Sequence, residues 1–274
     1  MPTIDVRGAT IAYTDTLAPA DRPDASTIVF GHGLLFSGWV FHRQIATLRA
    51  SYRCVALDWR GQGDTPATVD GYDMDTLTGD AVALIRALGV GPVHWVGLSM
   101  GGFIGQRVAA RHGELLRSLT LLDTSSGPEE PGKVGGYKQL AWVLRLFGIK
   151  PILSKVSPQM FGPAFLADPA SKTLRDEWVR RLNRSDRAAV RKAVLGVADR
   201  PPVDYEILGI TVPTLVVVGA EDAATPPAKA ERIAARIPGA QLQIVANCGH
   251  TSPLEQPETI TGLLDTFLAT VDRA

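Results

Sequence analysis

Residues 93–102 read Val-His-Trp-Val-Gly-Leu-Ser-Met-Gly-Gly. A short apolar run enters a Gly-x-Ser-x-Gly turn centred on Ser99, and an apolar helix of small residues is predicted from Met100 to about His112. A turn of this kind between a strand and a helix exposes the serine hydroxyl and aims the next backbone N–H at the group that the hydroxyl attacks. The turn is sharp, so positions 97 and 101 suit glycine, which has no side chain. The stretch predicts Ser99 as a nucleophile.

Several short segments have the composition of β-strands. Two of them, at residues 4–6 and 10–13, flank Arg-Gly-Ala and predict a hairpin. The others are apolar on both faces and alternate with helical segments, which predicts a mostly parallel sheet with helices on both sides. These segments cover residues 27–30, 53–57, 93–96, 118–122, 214–219 and 241–245. The expected fold class is therefore α/β, with eight strands.

Candidate functional residues follow the carboxyl ends of these strands. Gly-His-Gly at residues 31–33, Asp58, Ser99 and Asp123 each come directly after an apolar strand segment. Ligands of open parallel sheets bind at the carboxyl ends of the strands. We therefore expect these residues to lie along one edge of the sheet.

Composition divides the chain into two predicted regions. Residues 125–202 contain no good strand segment and show helical patterns with aromatic and aliphatic residues. We expect them to form a helical cap inserted after the sixth strand, while residues 1–124 and 203–274 form the core domain. Between Lys172 and Arg200, arginines and lysines outnumber acidic residues. They predict either a solvated helix face or a cap that attracts an anionic substrate.

Bulk properties exclude several classes of protein. The chain has 274 residues, of which 45% are hydrophobic and 20% are charged, as in a folded globular protein. Its net charge of zero predicts no overall attraction to nucleic acid or to an anionic membrane. No secretory signal or membrane-spanning run is visible, so the cytoplasm is the expected location. Cys54 and Cys248 have neither metal-site nor disulfide spacing.

A nucleophilic serine needs a base, and histidine suits this role because its pKa lies near neutral pH. His250 follows the last predicted strand in a Gly-His loop, whereas His32 precedes a turn glycine and comes early in the chain. For a serine at such a turn, the acid that orients the histidine lies between the two in the sequence. Asp222 fits this order best, and Asp123 and Glu221 are rival acids.

Acyl transfer also needs N–H donors for the oxyanion of the transition state. The Met100 N–H, at the start of a helix, is one expected donor, and the Leu34 N–H, in the loop after the residue 27–30 strand, is the other. Leu35 in the same loop and Trp142 in the expected cap are the predicted substrate contacts.

Four motifs together resemble the α/β-hydrolase superfamily. They are Gly-His-Gly at 31–33, Asp-Trp-Arg-Gly-Gln-Gly at 58–63, Gly-Leu-Ser-Met-Gly-Gly at 97–102 and Gly-His at 249–250. Within the superfamily, residues 219–227 and 255–257 are similar to the branch of 3-oxoadipate enol-lactonases and small carboxylesterases.

The resemblance implies hydrolysis through an acyl-enzyme, without a metal or other cofactor. It implies that Ser99 is the nucleophile, Asp222 the acid and His250 the base, with Leu34 and Met100 as the oxyanion donors. Haloalkane dehalogenases carry an aspartate at the position of Ser99, so halide displacement is disfavoured.

The expected partner is a small-molecule ester or lactone, which the Ser-His-Asp triad would hydrolyse. An enol-lactonase-like enzyme for an anionic lactone is an alternative. Perhydrolysis and carbon–carbon bond hydrolysis use the same three residues, and some proteins of this fold bind ligands without catalysis. These alternatives stay open because function depends on the pocket rather than on the fold.

Overall fold

The computed structural model describes residues 1–273 and contains one eight-stranded sheet. Its strands are β1 (Thr3–Val6), β2 (Ala9–Asp15), β3 (Thr27–Gly31), β4 (Arg53–Leu57), β5 (Val93–Leu98), β6 (Leu116–Leu122), β7 (Thr214–Gly219) and β8 (Gln241–Val245). The strand order is β1-β2-β4-β3-β5-β6-β7-β8. The pairs β1–β2 and β2–β4 are antiparallel, and all the other pairs are parallel. The prediction of a mostly parallel α/β sheet is confirmed.

Eleven α-helices connect or cover the strands within residues 1–273. They are α1 (His42–Leu48), α2 (Met74–Leu88), α3 (Met100–Arg111), α4 (Pro131–Phe147), α5 (Leu153–Met160), α6 (Pro163–Ala167), α7 (Lys172–Leu182), α8 (Arg187–Ala198), α9 (Pro227–Ala234), α10 (Ser252–Glu255) and α11 (Pro257–Arg273). Helices α4 to α8 all lie between β6 and β7 in the sequence. None of the described helices is both long enough and apolar enough to cross a membrane.

Buried apolar side chains pack on both faces of the sheet. Strands β3, β5 and β7 are buried along their whole length, which explains why their sequences do not alternate between apolar and polar residues. Val29 and Trp95 pack on the face that α2, α3 and α9 cover, while their neighbours Phe30 and Val96 pack on the face that α1 and α11 cover. Helices therefore cover both faces of the sheet, as predicted.

The boundaries of some elements differ from the expected ones. The last helix continues beyond Leu268 to Arg273, and α9 ends at Ala234 rather than at Ile237. Helix α2 begins and ends where its periodicity predicts, because Asp73 caps its first turn and Gly89 ends it in a left-handed conformation. Helix ends are set by local capping as well as by the apolar pattern, so the pattern alone places them only approximately.

Candidate active site

Ser99 lies at the tip of a strained turn between β5 and α3. Its backbone has φ 50° and ψ −108°, a conformation that residues other than glycine rarely adopt. The Ser99 N–H donates to the Leu122 carbonyl at 2.9 Å, and Thr124 Oγ1 donates to the Ser99 carbonyl at 2.8 Å. These bonds hold the turn against β6 and help to offset its strain.

The turn requires glycine on both sides of Ser99. A Cβ atom on Gly97 would overlap the Gly101 carbonyl, and a Cβ atom on Gly101 would overlap the Gly31 carbonyl at the end of β3. The close approach of these three backbone segments brings the loop after β3 next to the nucleophile. The sequence-based expectation that positions 97 and 101 suit glycine thus has a steric basis.

Ser99, His250 and Asp222 form one hydrogen-bonded chain. Ser99 Oγ lies 3.0 Å from His250 Nε2, and His250 Nδ1 lies 2.9 Å from Asp222 Oδ2. All three residues are buried, with Ser99 retaining 8% of its accessible surface. The three residues come from the ends of β5, β7 and β8, so the parallel sheet brings them to one edge. In this arrangement, His250 can accept the Ser99 proton while Asp222 orients the imidazole.

The carboxylate of Asp222 controls the protonation of His250. Burial lowers the pKa of His250, but the negative charge and hydrogen bond of Asp222 outweigh burial and raise that pKa above its ordinary value. Burial likewise raises the pKa of Asp222, yet His250 and the donors of Thr225 outweigh it and hold that pKa below the usual range. The pair therefore favours an ionised Asp222 beside His250.

Asp123 is buried near the triad but does not contact the imidazole. Its Oδ1 accepts from the Gly219 N–H at 2.9 Å, and its Oδ2 accepts from the Ser252 hydroxyl. Burial and the nearby charge of Asp222 raise the pKa of Asp123 well above its usual value. Of the rival acids, Glu221 also makes no hydrogen bond to His250 among the described residues, so Asp222 is the carboxylate in contact.

Thr225 is a neighbour of the triad that the sequence motifs did not single out. Its Oγ1 donates to Asp222 Oδ2 at 2.7 Å and lies 3.2 Å from His250 Nδ1. The N–H groups of Ala224 and Thr225 donate to Asp222 Oδ1 at 2.9 and 2.8 Å. Asp222 is thus saturated with donors and fixed in position. Thr225 comes three residues after Asp222, a spacing that could have marked it as a hydroxyl partner of the acid.

The two expected oxyanion donors lie beside Ser99: Leu34 lines the same cavity and Met100 is the next residue in the chain. Neither the Leu34 nor the Met100 N–H donates a hydrogen bond to an acceptor within residues 1–273. Leu35, which follows Leu34 in the same loop, has φ 67°, and its N–H donates to Gln62 Oε1 at 3.0 Å. This bond, together with one from the Trp178 indole N–H to the Leu35 carbonyl at 3.0 Å, fixes the loop. Sequence reasoning did not identify Gln62.

His32 is a structural residue at the base of the same loop. It is fully buried, and its Nε2 accepts from the Trp59 N–H at 3.1 Å while the Trp59 indole N–H donates to the His32 carbonyl at 2.9 Å. Burial lowers the pKa of His32 to about 4, so the ring is neutral at physiological pH. His32 therefore ties the loop after β3 to the loop after β4.

A cavity of about 460 Å³ opens onto Ser99 and His250. Its walls come from the loop after β3, from α3 and from the helices between β6 and β7. The lining is mainly apolar and includes Leu34, Leu35, Phe103, Tyr137, Leu140, Val143, Ile152, Val156, Met160 and Val197. Four charged residues also line it, namely Glu129, Lys133, Lys155 and Arg200. The volume suits a small organic ligand.

The placement of Trp142 corrects one prediction. Trp142 does not line this cavity: its side chain is 56% exposed on the outer face of α4, and the Arg191 guanidinium lies 4.9 Å from its ring centroid. The helix turns Tyr137, Leu140 and Val143 toward the cavity instead. Leu35, the other predicted contact, does line the cavity and is buried.

The basic residues that approach the cavity differ from those that the sequence emphasised. None of the cations of α7 and α8 lines the cavity, whereas Lys133 of α4 and Lys155 of α5 do. Arg200, just after α8, forms a buried ion pair with Glu129 at 3.0 Å and also lies 4.2 Å from the Phe103 ring centroid. This pair joins the two ends of the segment between β6 and β7 beside the cavity.

Similarity to known proteins agrees with this geometry. The chain is 25% identical to 3-oxoadipate enol-lactonase 2 of Acinetobacter baylyi over 253 residues, which cover 92% of this chain and 91% of that protein. The crystal structure of an enol-lactonase from Burkholderia xenovorans superposes with a TM-score of 0.89 at 25% identity, covering 98% of this chain and 100% of that chain. A thermophilic esterase from Thermogutta terrifontis gives a TM-score of 0.88 at 26% identity, with coverage of 98% and 97%.

The resemblance inferred from the four motifs is therefore confirmed at the level of the superfamily. The sequence profile of the alpha/beta hydrolase family matches residues 28–262, which include β3 to β8 and the whole candidate site. The chain belongs to the alpha/beta hydrolase family.

Proposed function

We propose that this hydrolase cleaves a carboxylic ester or lactone through an acyl-enzyme formed on Ser99. The observation that carries the proposal is the continuous hydrogen-bonded chain from Ser99 Oγ through His250 to Asp222. A serine hydroxyl bonded in this way loses its proton to the imidazole as it attacks, and the buried carboxylate stabilises the imidazolium.

In the first half-reaction, His250 Nε2 accepts the Ser99 proton while Ser99 Oγ bonds to the substrate carbonyl carbon. The carbonyl oxygen becomes an oxyanion, and in this mechanism the N–H groups of Leu34 and Met100, which have no acceptor within residues 1–273, stabilise it. The tetrahedral intermediate then collapses, the C–O bond to the leaving group breaks, and the leaving alkoxide takes the proton from His250. An acyl ester remains on Ser99.

The second half-reaction reverses these roles with water. His250 takes a proton from a water molecule whose oxygen attacks the acyl carbon. Collapse releases the carboxylic acid and returns the proton to Ser99. In a lactone, the leaving alkoxide and the acyl group belong to one molecule, so a single hydroxy acid is the product.

We further propose that residues 125–202 act as a cap over the core formed by residues 1–124 and 203–274. Two observations support this division: the segment contains α4 to α8, and its helices supply many of the apolar walls of the cavity. A partly apolar acyl or alcohol group fits such a lining.

The direct test is hydrolysis of p-nitrophenyl acetate by the wild-type chain and by Ser99→Ala, with Ser51→Ala as a matched serine control. Within residues 1–273, the hydrogen bond that Ser51 donates is from its backbone N–H to the Leu48 carbonyl, and its hydroxyl makes none. We expect Ser99→Ala to lose about 10⁴-fold or more in kcat, because the nucleophile is absent, and Ser51→Ala to keep wild-type activity. Equal rates for wild type and Ser99→Ala would rule the mechanism out.

An anionic lactone is the second candidate substrate. Lys133, Lys155 and Arg200 line the cavity together with one acid, Glu129. Arg200 pairs with Glu129 and Lys133 pairs with Glu130, whereas Lys155 forms no ion pair within residues 1–273. The charge of Lys155 favours a substrate that carries a carboxylate. Comparing kcat/KM for a lactone with a carboxylate and for its methyl ester tests this candidate. A preference for the free carboxylate that is lost in Lys155→Gln supports it, whereas a preference for the methyl ester removes it.

Titration with a fluorophosphonate distinguishes a hydrolase from a protein that only binds ligands. The reagent phosphonylates a serine only when an adjacent base activates it. We expect one equivalent to label Ser99 and none to label Ser99→Ala. An unlabelled wild-type protein would favour a binding role.

A further inference from the structure

We propose that the outer face of α4, together with the turn that follows it, docks on an anionic lipid surface. This surface is defined by Lys138, Trp142, Arg145 and Leu146 on the outer side of α4, and by Phe147 at the end of the helix. It points away from the catalytic cavity, so the proposed docking does not rest on the proposed hydrolysis.

Three large apolar side chains are exposed close together on this helix. Trp142 is 56% exposed, Leu146 is 55% exposed and Phe147 is 64% exposed. Scattered exposed apolar residues are ordinary in globular proteins, but neighbouring ones form a patch that water solvates poorly. Trp142 and Leu146 are four residues apart and therefore share one side of the helix. The patch is an outward-facing apolar surface on the segment between β6 and β7.

Positive charge surrounds this patch. Residues 131–167 contain five basic residues and no aspartate or glutamate. Lys138, Arg145 and Lys150 are exposed, and none of them forms an ion pair with any residue in the range 1–273. Lys138 and Arg145 lie four and three residues from Trp142, on the same side of the helix. The apolar patch is thus flanked by cations that have no partner within the described chain.

Helix α8 adds two more cations at the edge of the patch. The Arg191 guanidinium lies 4.9 Å from the Trp142 ring centroid, and Arg187 Nη1 donates to the Leu146 carbonyl at 3.2 Å. Asp186, the acid beside Arg187 in the sequence, accepts from the Ala189 N–H at 2.8 Å to cap α8. These contacts hold the two arginines alongside the apolar side chains.

A helix that exposes tryptophan, leucine and phenylalanine beside lysine and arginine has the chemistry of a helix at a lipid–water interface. The apolar side chains enter the boundary of the acyl chains, and the cations remain at the level of anionic headgroups. A protein partner fits less well, because it would have to place acids opposite each of these unpaired cations, whereas an anionic lipid surface presents negative charge throughout. The net charge of zero does not indicate this basic surface, because acidic residues elsewhere in the chain balance the cations of residues 131–167.

The location of this surface connects it to the catalytic cavity. Tyr137, Leu140 and Val143 on the inner side of α4 line the cavity that opens onto Ser99. One helix therefore separates the proposed lipid-binding face from the cavity. If the proposed hydrolysis holds, docking brings the cavity close to esters that partition into the lipid.

The test measures sedimentation of the full chain with lipid vesicles, using Ser99→Ala so that hydrolysis plays no part. Vesicles of equal parts phosphatidylglycerol and phosphatidylcholine are compared with vesicles of phosphatidylcholine alone. We expect binding only to the anionic vesicles, and we expect high salt to weaken it. Substituting Trp142, Leu146 and Phe147 by serine, or Lys138 and Arg145 by glutamate, lowers the partition coefficient about tenfold or more.

Exposed residues outside the proposed cap, residues 125–202, provide the control variants. Tyr205→Ser removes an even more exposed aromatic side chain, and Arg49→Glu reverses an exposed charge; both are expected to leave partitioning unchanged. Absence of binding to anionic vesicles, equal binding to neutral vesicles, or full binding by the triple serine variant would each overturn the proposal. Light scattering identifies one rival occupant: a dimer that the triple variant dissociates, without vesicle binding, would assign the face to a second copy of the chain.

Discussion

Two buried aspartates lie near His250, and their hydrogen bonds give them different roles. Asp222 contacts the imidazole directly and has a pKa held below its usual range by His250 and Thr225. Asp123 contacts Gly219 and Ser252 instead, and burial with the charge of Asp222 raises its pKa. One negative charge beside the imidazole is therefore favoured over two.

Asparagine substitutions should separate the two aspartates. Asp222→Asn is expected to lower kcat about 10⁴-fold, because the amide no longer fixes the imidazole tautomer that accepts the Ser99 proton. Asp123→Asn should stay within about threefold of wild type, since its amide can accept from the Gly219 N–H and donate to Ser252 Oγ. Initial rates with p-nitrophenyl acetate measure both. A greater loss in Asp123→Asn would reverse the assignment of the acid.

The pH profile reports the protonation of His250. Only the neutral imidazole can accept the Ser99 proton, so kcat/KM should rise with pH through the pKa of His250 and then level off. Because Asp222 raises that pKa, the midpoint of the acidic limb is expected above the ordinary value of about 6.5. A midpoint below this value would contradict the electrostatic role of Asp222. Ser51→Ala serves as the control and should leave the midpoint unchanged, because Ser51 is not among the groups that shift the pKa of His250.

At the scale of single residues, short motifs at strand ends predicted that Ser99 and His250 lie together, and the structure brings them within hydrogen-bond distance. Two of the residues that hold the site in place were not predicted. Thr225 was missed although its position three residues after Asp222 is a local signal. Gln62 could not be predicted, because its side chain accepts from the Leu35 N–H of a different loop. Such contacts depend on tertiary geometry, which no local pattern encodes.

Among the elements, the turn between β5 and α3 imposes the strictest steric requirement. It brings Gly101 against the Gly31 carbonyl of β3, so neither backbone can move away without disturbing the sheet. The same contact places the loop of Leu34 beside the nucleophile. Packing of the turn and assembly of the site are therefore coupled.

A methyl group at position 101 should disrupt both the packing of this turn and the placement of the loop that contains Leu34. Gly101→Ala is expected to lower the free energy of unfolding by about 3 kcal/mol, at the upper end of overpacking effects, because the clash involves backbone atoms. Gly262→Ala is the control: its site in α11 is open, so the substitution should stabilise the helix by about 0.5–1 kcal/mol. Urea unfolding measures both changes. A Gly101→Ala chain as stable as wild type would contradict the steric account.

The sequence predicted the strands better than the ends of the helices. Strands such as β5 and β7 are easy to recognise, because both of their faces are buried and their sequences are therefore nearly continuous apolar runs. Helix α11 extends beyond its predicted end, and its last turn is tied to the sheet by Asp272, whose Oδ1 lies 3.0 Å from Nε2 of the buried His94 in β5. The apolar pattern does not encode such a polar contact between distant residues.

For the whole molecule, the parallel sheet explains why residues distant in sequence meet at one edge. Ser99, Asp222 and His250 follow three different strands that all point the same way. In the segment between β6 and β7, it was harder to predict which side of each helix faces the cavity, because these helices carry apolar residues on two sides. Trp142 illustrates the difficulty: its hydrophobicity suggested a cavity contact, but the helix turns it toward solvent.

The central claim is that Ser99 carries the acyl group during turnover, and trapping that intermediate tests it most directly. The wild-type chain is mixed with p-nitrophenyl acetate, quenched in acid within the first turnover, digested and examined by peptide mass spectrometry. We predict a single acetyl group on Ser99, in the peptide that contains residues 97–102, and none in Ser99→Ala. Steady hydrolysis by the wild type with no acetyl on Ser99, or with the acetyl group on another residue, would contradict the account.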